Sequence, residues 1–237
     1  MELKNGKLGV KRIYTAELLQ LFAAIVGVVA AILGIVAVAL TAVENGEGAA
    51  IGLGAGAGAL GIVAGVLGIV GFILYLVGVG TAAKDSAFFK TALTFIVIGI
   101  VASIFNTIFD GINAAWAGYV ASAFELIKSV TELLTVLYIV DGIIDFAKQI
   151  GDEAVQQKGN VFKWLLVIVY GLASLLVLIG IICGATVASA IAVSAIGIVT
   201  AVLSVVKYFV YLALLAKAKN MAWDNVRPAP SDNVTLE

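Results

Sequence analysis

LLQLFAAIVGVVAAILGIVAVALTAV, residues 18–43, runs 26 positions without a charge. About 20 apolar residues in helical form cross a hydrocarbon core of about 30 Å. Secretory leaders have shorter apolar cores, about 7–15 residues, followed by a small-residue cleavage site. This run is therefore expected to be retained as a membrane-spanning helix. The remainder of the chain has the same character. Of its 237 residues 62% are hydrophobic and 12% charged, and the mean hydropathy is +1.15. Those values fall outside the range of water-soluble domains.

Within the run, Val26-Gly27-Val28-Val29-Ala30-Ala31-Ile32 lines up with Ile98-Gly99-Ile100-Val101-Ala102-Ser103-Ile104 and with Tyr170-Gly171-Leu172-Ala173-Ser174-Leu175-Leu176. The three glycines are 72 positions apart. A second match pairs residues 59–67 with 195–203 without a gap, and carries Tyr75-Leu76 onto Tyr211-Leu212. Repetition at a fixed period signals one supersecondary unit used several times. The expected fold is an all-α integral membrane protein of six transmembrane helices, arranged as three tandem hairpins in a pseudo-threefold bundle. The expected spans are roughly 17–43, 51–83, 90–113, 116–148, 161–183 and 186–217. The corresponding segments are a basic N-terminal stretch (1–16), hairpins at 17–83, 84–150 and 151–221, and a disordered C-terminal tail (222–237).

Lysine and arginine decide orientation, because cytoplasmic loops carry their excess. Twelve of the 14 basic residues fall at the N-terminus, in the links after spans two and four, or after span six. The opposite turns, around Glu44 to Ala50, Asp110 to Ala117 and Gly184 to Ala185, have none. Both termini are expected on the cytoplasmic side of the cell membrane, with the bilayer as the first partner. A net charge of −1 gives no sign of nucleic-acid binding.

Several chemistries lack their residues. The chain has no histidine, which removes His-based triads and His-ligated zinc or haem. A single cysteine, Cys183, allows no intramolecular disulfide and no thiolate cluster. No cofactor or metal site and no enzyme activity is expected. Both prolines, Pro228 and Pro230, lie in the tail, so the spans should lack proline kinks.

Small residues mark one packing signal. Gly54, Gly58, Gly61, Gly65 and Gly68 recur at spacings of four and three, which places them along one helix face. The repeat-related face of span six is Ala190, Ser194, Gly197, Ala201 and Ser204. Such faces let membrane helices approach closely. They are expected to pack hairpins within the chain or to form a seam with a second copy or another membrane protein. The string Gly52-Leu53-Gly54-Ala55-Gly56-Ala57-Gly58 resembles the glycine-alternating helix of rotary ATP synthase ring subunits over seven residues only. That family's two-helix length and mid-membrane carboxylate are not matched, so its function is not carried over.

Span four departs from the apolar pattern. Glu125, Lys128 and Glu132 share one helix face with Ser122 and Ser129, at offsets of three and four. In the alignment matching Tyr138 to Tyr75, Lys128 takes the place of Gly65. Span three has its own polar stripe of Ser103, Asn106, Asp110 and Asn113. An intramembrane cluster of Asn106, Asp110, Glu125, Lys128 and Glu132 is expected, with Lys128 paired to one of the carboxylates. Charged groups inside a membrane are costly and commonly mark a pathway. The first functional expectation is a small-ion or small-solute transporter or channel. The alternative is a non-catalytic structural or assembly protein acting through its Gly/Ala-rich faces. Lys207, about ten residues from the end of its span, is expected to snorkel.

Overall fold

The computed structural model describes residues 3–41, 47–112, 114–183 and 187–223, and the side chains of these except at 47, 115, 173–183 and 187–198. Among the described residues it has six helices and no strand. They are α1 (Lys4–Leu40), α2 (Glu47–Ala82), α3 (Ala87–Asp110), α4 (Ala115–Ile150), α5 (Glu153–Cys183) and α6 (Val187–Lys219). Four of them, α1, α2, α3 and α6, are long and apolar enough to cross a membrane. Their large aliphatic side chains are widely exposed, for example Ile35, Ile62, Ile104 and Val202. This pattern is that of a membrane protein with transmembrane helices. In α4, Glu125, Lys128 and Glu132 in the first half and Asp141, Asp145 and Lys148 in the second leave no 18-residue window with two or fewer charges.

The chain divides into two compact units. One is Lys11–Gly78; the other combines Met1–Val10 with Val79–Glu237. In the first, α1 and α2 form an antiparallel hairpin. The β-carbon of Ala64 stands over Gly27, that of Ala57 over Gly34, and Gly71 lies against Gln20 and the Ala16 carbonyl. The contacting positions of α2 repeat every seven residues. Ala57, Ala64 and Gly71 stand in one column with Ala50 and Gly78, and the half-buried Leu53, Leu60, Leu67 and Leu74 form the column beside it. On α1 the matching columns are Ala16, Ala23, Ala30 and Ala37, and Gln20, Gly27 and Gly34. A seven-residue repeat keeps a seam facing its partner along supercoiled helices, and small residues let the backbones close up.

In the second unit α4 packs against α3 on one side and α5 on the other. The α3/α4 seam also follows sevens: Ala117, Phe124, Thr131 and Tyr138, with Ala121, Lys128, Thr135 and Gly142. Ala117, Ala121, Thr131 and Thr135 are buried there. Phe124 stacks on Phe105 and Phe109, Phe95 on Tyr138, and Phe89 on Phe146. Gly142 is required by close approach, since a β-carbon at that position would overlap the Phe89 ring. The α4/α5 link is shorter than its sequence suggests. Residues 153–160 are the first two turns of α5, not part of a loop. Gly151 takes the left-handed conformation (φ 83°) that ends α4, its N–H donating to the Ala147 carbonyl at 2.9 Å. The Asp152 carboxylate then accepts the Val155 N–H at 3.0 Å and caps α5.

α1 likewise begins earlier than the apolar run. Its first turn is held by Asp85, whose carboxylate accepts Asn5 Nδ2 at 2.9 Å and the Gly6 N–H at 2.7 Å. A carboxylate at a helix N-terminus satisfies otherwise orphaned donors and favours the positive end of the dipole.

Candidate functional site

Of the polar groups singled out on spans three and four, Asn106 and the Lys128–Glu125 pair lie in the half of the α3/α4 hairpin nearer its turn. Asn106 of α3 donates from Nδ2 to the Ala121 carbonyl of α4 at 2.9 Å. Two turns further along, Lys128 occupies the small-residue column between Ala121 and Thr135. Its Nζ lies 3.3 and 3.4 Å from the two oxygens of Glu125. The pair is part-exposed, at 34% for Lys128 and 50% for Glu125. The Thr131 hydroxyl donates to the Lys128 carbonyl at 2.8 Å. The same oxygen explains Gly99, where a β-carbon would come within 2.9 Å of it.

Depth along the seam follows from these contacts. Thr131 meets Gly99, halfway along α3, so Glu132 stands at mid-height of that helix. Glu125 lies two turns nearer the α3/α4 turn. Asp110 is not brought to Lys128. It is exposed at the last position of α3, and no hydrogen bond or ion pair to another described residue holds it there. Its stripe-mate Asn113 lies outside the described residues. Glu125 and Glu132 are both exposed. They follow Phe124 and Thr131 by one residue, which turns them about 100° off the α3/α4 seam.

Glu132 makes no ion pair with Lys128, whose amine turns to Glu125. Lys207 of α6 places Nζ 5.1 Å from the centroid of the Tyr170 ring of α5, a cation–π geometry. Glu132 lies within electrostatic range of both residues. The Lys207–Tyr170 contact joins α5 and α6, with the charge of Glu132 on α4 felt at both. Helical spacing within α4 cannot disclose it, because periodicity does not say which helices are neighbours.

The glycine stripe of α2 faces away from its hairpin partner. Gly54, Gly58, Gly61 and Gly65 are exposed and Gly68 half-buried, and a β-carbon at any of the five has nothing within 4 Å. Each follows a seam residue by one position, so the stripe is a second face beside the occupied one. Of the related face on α6, Ala201 is exposed and Ser204 half-buried. The side chains of Ala190, Ser194 and Gly197 lie outside the described residues, as do the side chain of Cys183 and residues 224–237. Gly171, third of the aligned glycines, has nothing within 4 Å, unlike Gly99.

Among the described residues no group of three His, Cys, Asp or Glu side chains is arranged to hold a metal ion. A recess of about 400 Å³ between α1 and α2 is lined by Ala37, Val38, Thr41, Ala50 and Ile51. It offers no titratable group. In comparison with known proteins, no family model, no curated protein and no solved structure matches the chain.

Proposed function

We propose that this chain is a non-catalytic membrane assembly protein that associates with further copies of itself. In this reading all six helices cross the bilayer as three tandem hairpins of pseudo-threefold plan. Both termini face the cytoplasm, where the lysines and arginines collect. One observation carries the proposal: Glu132, at mid-height of α3, and the half-exposed Glu125 lie on the flank of α4, off the seam it makes with α3. A charge left in lipid at mid-bilayer costs about 2.5–3.5 kcal/mol on insertion scales. A second copy covers such groups at no cost in new chemistry. The open glycine stripe of α2 supplies a smooth surface for the same association.

The test is the oligomeric state of the purified full chain by sedimentation in density-matched detergent. Wild type should form a concentration-dependent oligomer, and Gly61→Leu or Gly65→Leu should shift it to monomer with helix content unchanged. A wild-type monomer at every concentration overturns the proposal.

The Glu132–Tyr170–Lys207 group favours a second reading, transport of protons or small cations. A carboxylate, a phenol and an amine on three helices at membrane depth supply the groups that proton exchange or cation binding needs. Flux across liposomes, compared between wild type, Lys128→Ala and Glu132→Gln at equal insertion, tests it. Selective flux altered by either substitution would establish a pathway; no flux over a range of ions would remove this reading.

A further inference from the structure

One end of the second unit is stitched from four parts of the chain. Asp85, in the α2/α3 turn, holds the first turn of α1. Gly6 lies against the Phe146 ring, which stacks on Phe89 and meets Trp223 edge-on. Gln156 of α5 donates to the Ala147 carbonyl of α4 at 3.3 Å. These contacts bring Lys4, Lys84, Lys90, Lys148 and Lys158 to the same end, and all five are exposed.

The carboxylates of that end are turned to internal work. Asp85 accepts two hydrogen bonds from α1. Asp141 pairs with Lys163 at 2.7 Å, Asp145 accepts Gln149 Nε2 at 3.0 Å, and Asp152 caps α5. All four are half-buried, which leaves Glu153 as the exposed carboxylate of the described residues there. Five exposed lysines therefore stand at the surface beside one exposed acid, with the charges of Asp85, Asp145 and Asp152 set back behind them. The excess comes from where the charges fall along the chain, since the net charge is −1 but twelve of the 14 basic residues lie at the N-terminus, in the links after spans two and four, or after span six.

Height adds a second constraint. α3 has 24 residues, about 36 Å at the helical rise, slightly more than the ~30 Å hydrocarbon core. Lys90 lies one turn inside its start, at the level of the membrane interface. Lys158 is at a similar height, because its neighbour Gly159 packs on Ile144 of α4, close to the Phe146–Phe89 stack. Lys84 and Lys148 stand at or beyond the helix ends. The amines thus form a band at headgroup depth, where long lysine stems reach phosphates.

We propose that this basic end is a binding surface for anionic phospholipid headgroups of the bilayer in which the chain sits. The proposal rests on the membrane-spanning reading. Juxtamembrane lysines each strengthen attraction to an anionic surface by about fivefold. The full chain in non-ionic micelles, doped with equal phosphatidylglycerol and phosphatidylcholine, tests it by native mass spectrometry of retained lipid. Wild type should retain phosphatidylglycerol at least about tenfold over phosphatidylcholine, with the preference falling as salt rises. The quadruple variant Lys84→Gln/Lys90→Gln/Lys148→Gln/Lys158→Gln should lose it, while Lys207→Gln keeps it. If the quadruple variant does not fold, Lys90→Gln/Lys158→Gln and the wild-type salt dependence decide. Equal retention of the two lipids overturns the proposal, and so does displacement of phosphatidylglycerol by millimolar inorganic phosphate, which would mark a small-anion site. Carbonate washing separates the two layers of inference. A chain released from membranes sinks the spanning reading; a chain that stays while lipid retention is equal sinks only the lipid site.

Discussion

The hairpins α1/α2 and α3/α4 are built on the same seven-residue seam and filled with opposite chemistry. In α1/α2 the seam is alanine and glycine against leucine, with Gln20 as its polar intruder. In α3/α4 it is aromatic and polar: Phe124, Tyr138, Thr131, Thr135 and Lys128 against Phe89, Phe95, Gly99 and Asn106. The first hairpin gains van der Waals contact by backbone approach. The second gains it by stacked rings, worth about 0.5–1.5 kcal/mol per pair beyond their area, and by the hydrogen bond that crosses from Asn106 to the Ala121 carbonyl. A seam of small residues leaves room for a second face on the same helix. A seam of rings and charges uses the helix up, and its charges emerge at the flank.

The difference should break most sharply at Gly142. Gly142→Leu drives a side chain into the Phe89 ring and is expected to cost more than the about 1–3 kcal/mol usual for overpacking. Loss of helical signal in a denaturant titration of the detergent-solubilised protein measures it. Asp85→Ala comes next. It strips a charged acceptor from the Gly6 N–H and Asn5, a loss of about 1.5–3 kcal/mol. The damage should be local, appearing as faster hydrogen exchange over residues 4–10 with the α3/α4 amides unchanged. A uniform rise in exchange would mean that the α1 start is integral to the second unit's core. Lys128→Met is smaller. The Lys128–Glu125 pair is part-exposed, and such pairs contribute about 0–1 kcal/mol. Stability in detergent should move by less than about 1 kcal/mol, measured by the same titration; a larger loss would show Lys128 bound into the seam through more than its partner.

Much of the fold was legible from composition and apolar run length. Six helical segments, their order and the turns between them follow from charge-free stretches and punctuating charges. The seven-residue period of the seam was legible too, but not the face that carries it. The four-three spacing of Gly54, Gly58, Gly61, Gly65 and Gly68 marks one face, while Ala57, Ala64 and Gly71 carry the contact with α1 on the face beside it. Both patterns are heptads on one helix, and a helix alone does not say which face its partner takes. The seam also changes the alignment of Lys128. Tyr138 matched to Tyr75 sets it on Gly65, whereas the tight glycines Gly71 and Gly142, 71 positions apart, set it on Ala57. The Lys128–Glu125 pair was local and could be read from spacing. The nearness of Glu132 to Lys207 and Tyr170 depends on which helices adjoin, and no single-helix pattern contains that.

The smallest expected effect has the opposite sign, and so tests the two faces of α2 most cleanly. Glycine in a helix interior costs up to about 1 kcal/mol relative to alanine. At Gly61 or Gly58 the added methyl has nothing within 4 Å, so alanine keeps that gain and meets no neighbour. At Gly71, on the seam, the methyl would sit 3.0 Å from Gln20 Cγ and 3.3 Å from the Ala16 carbonyl oxygen. The backbone oxygen cannot yield as a flexible side chain does, so the propensity gain is opposed by the displacement of α1. Gly61→Ala should therefore raise the unfolding midpoint of the monomeric protein slightly, and Gly71→Ala should lower it. If both fall, the outer stripe is covered in the folded chain and the second face does not exist. If Gly61→Ala rises in dilute detergent but weakens the oligomer, the two heptads on α2 have separate duties, one inside the hairpin and one between chains.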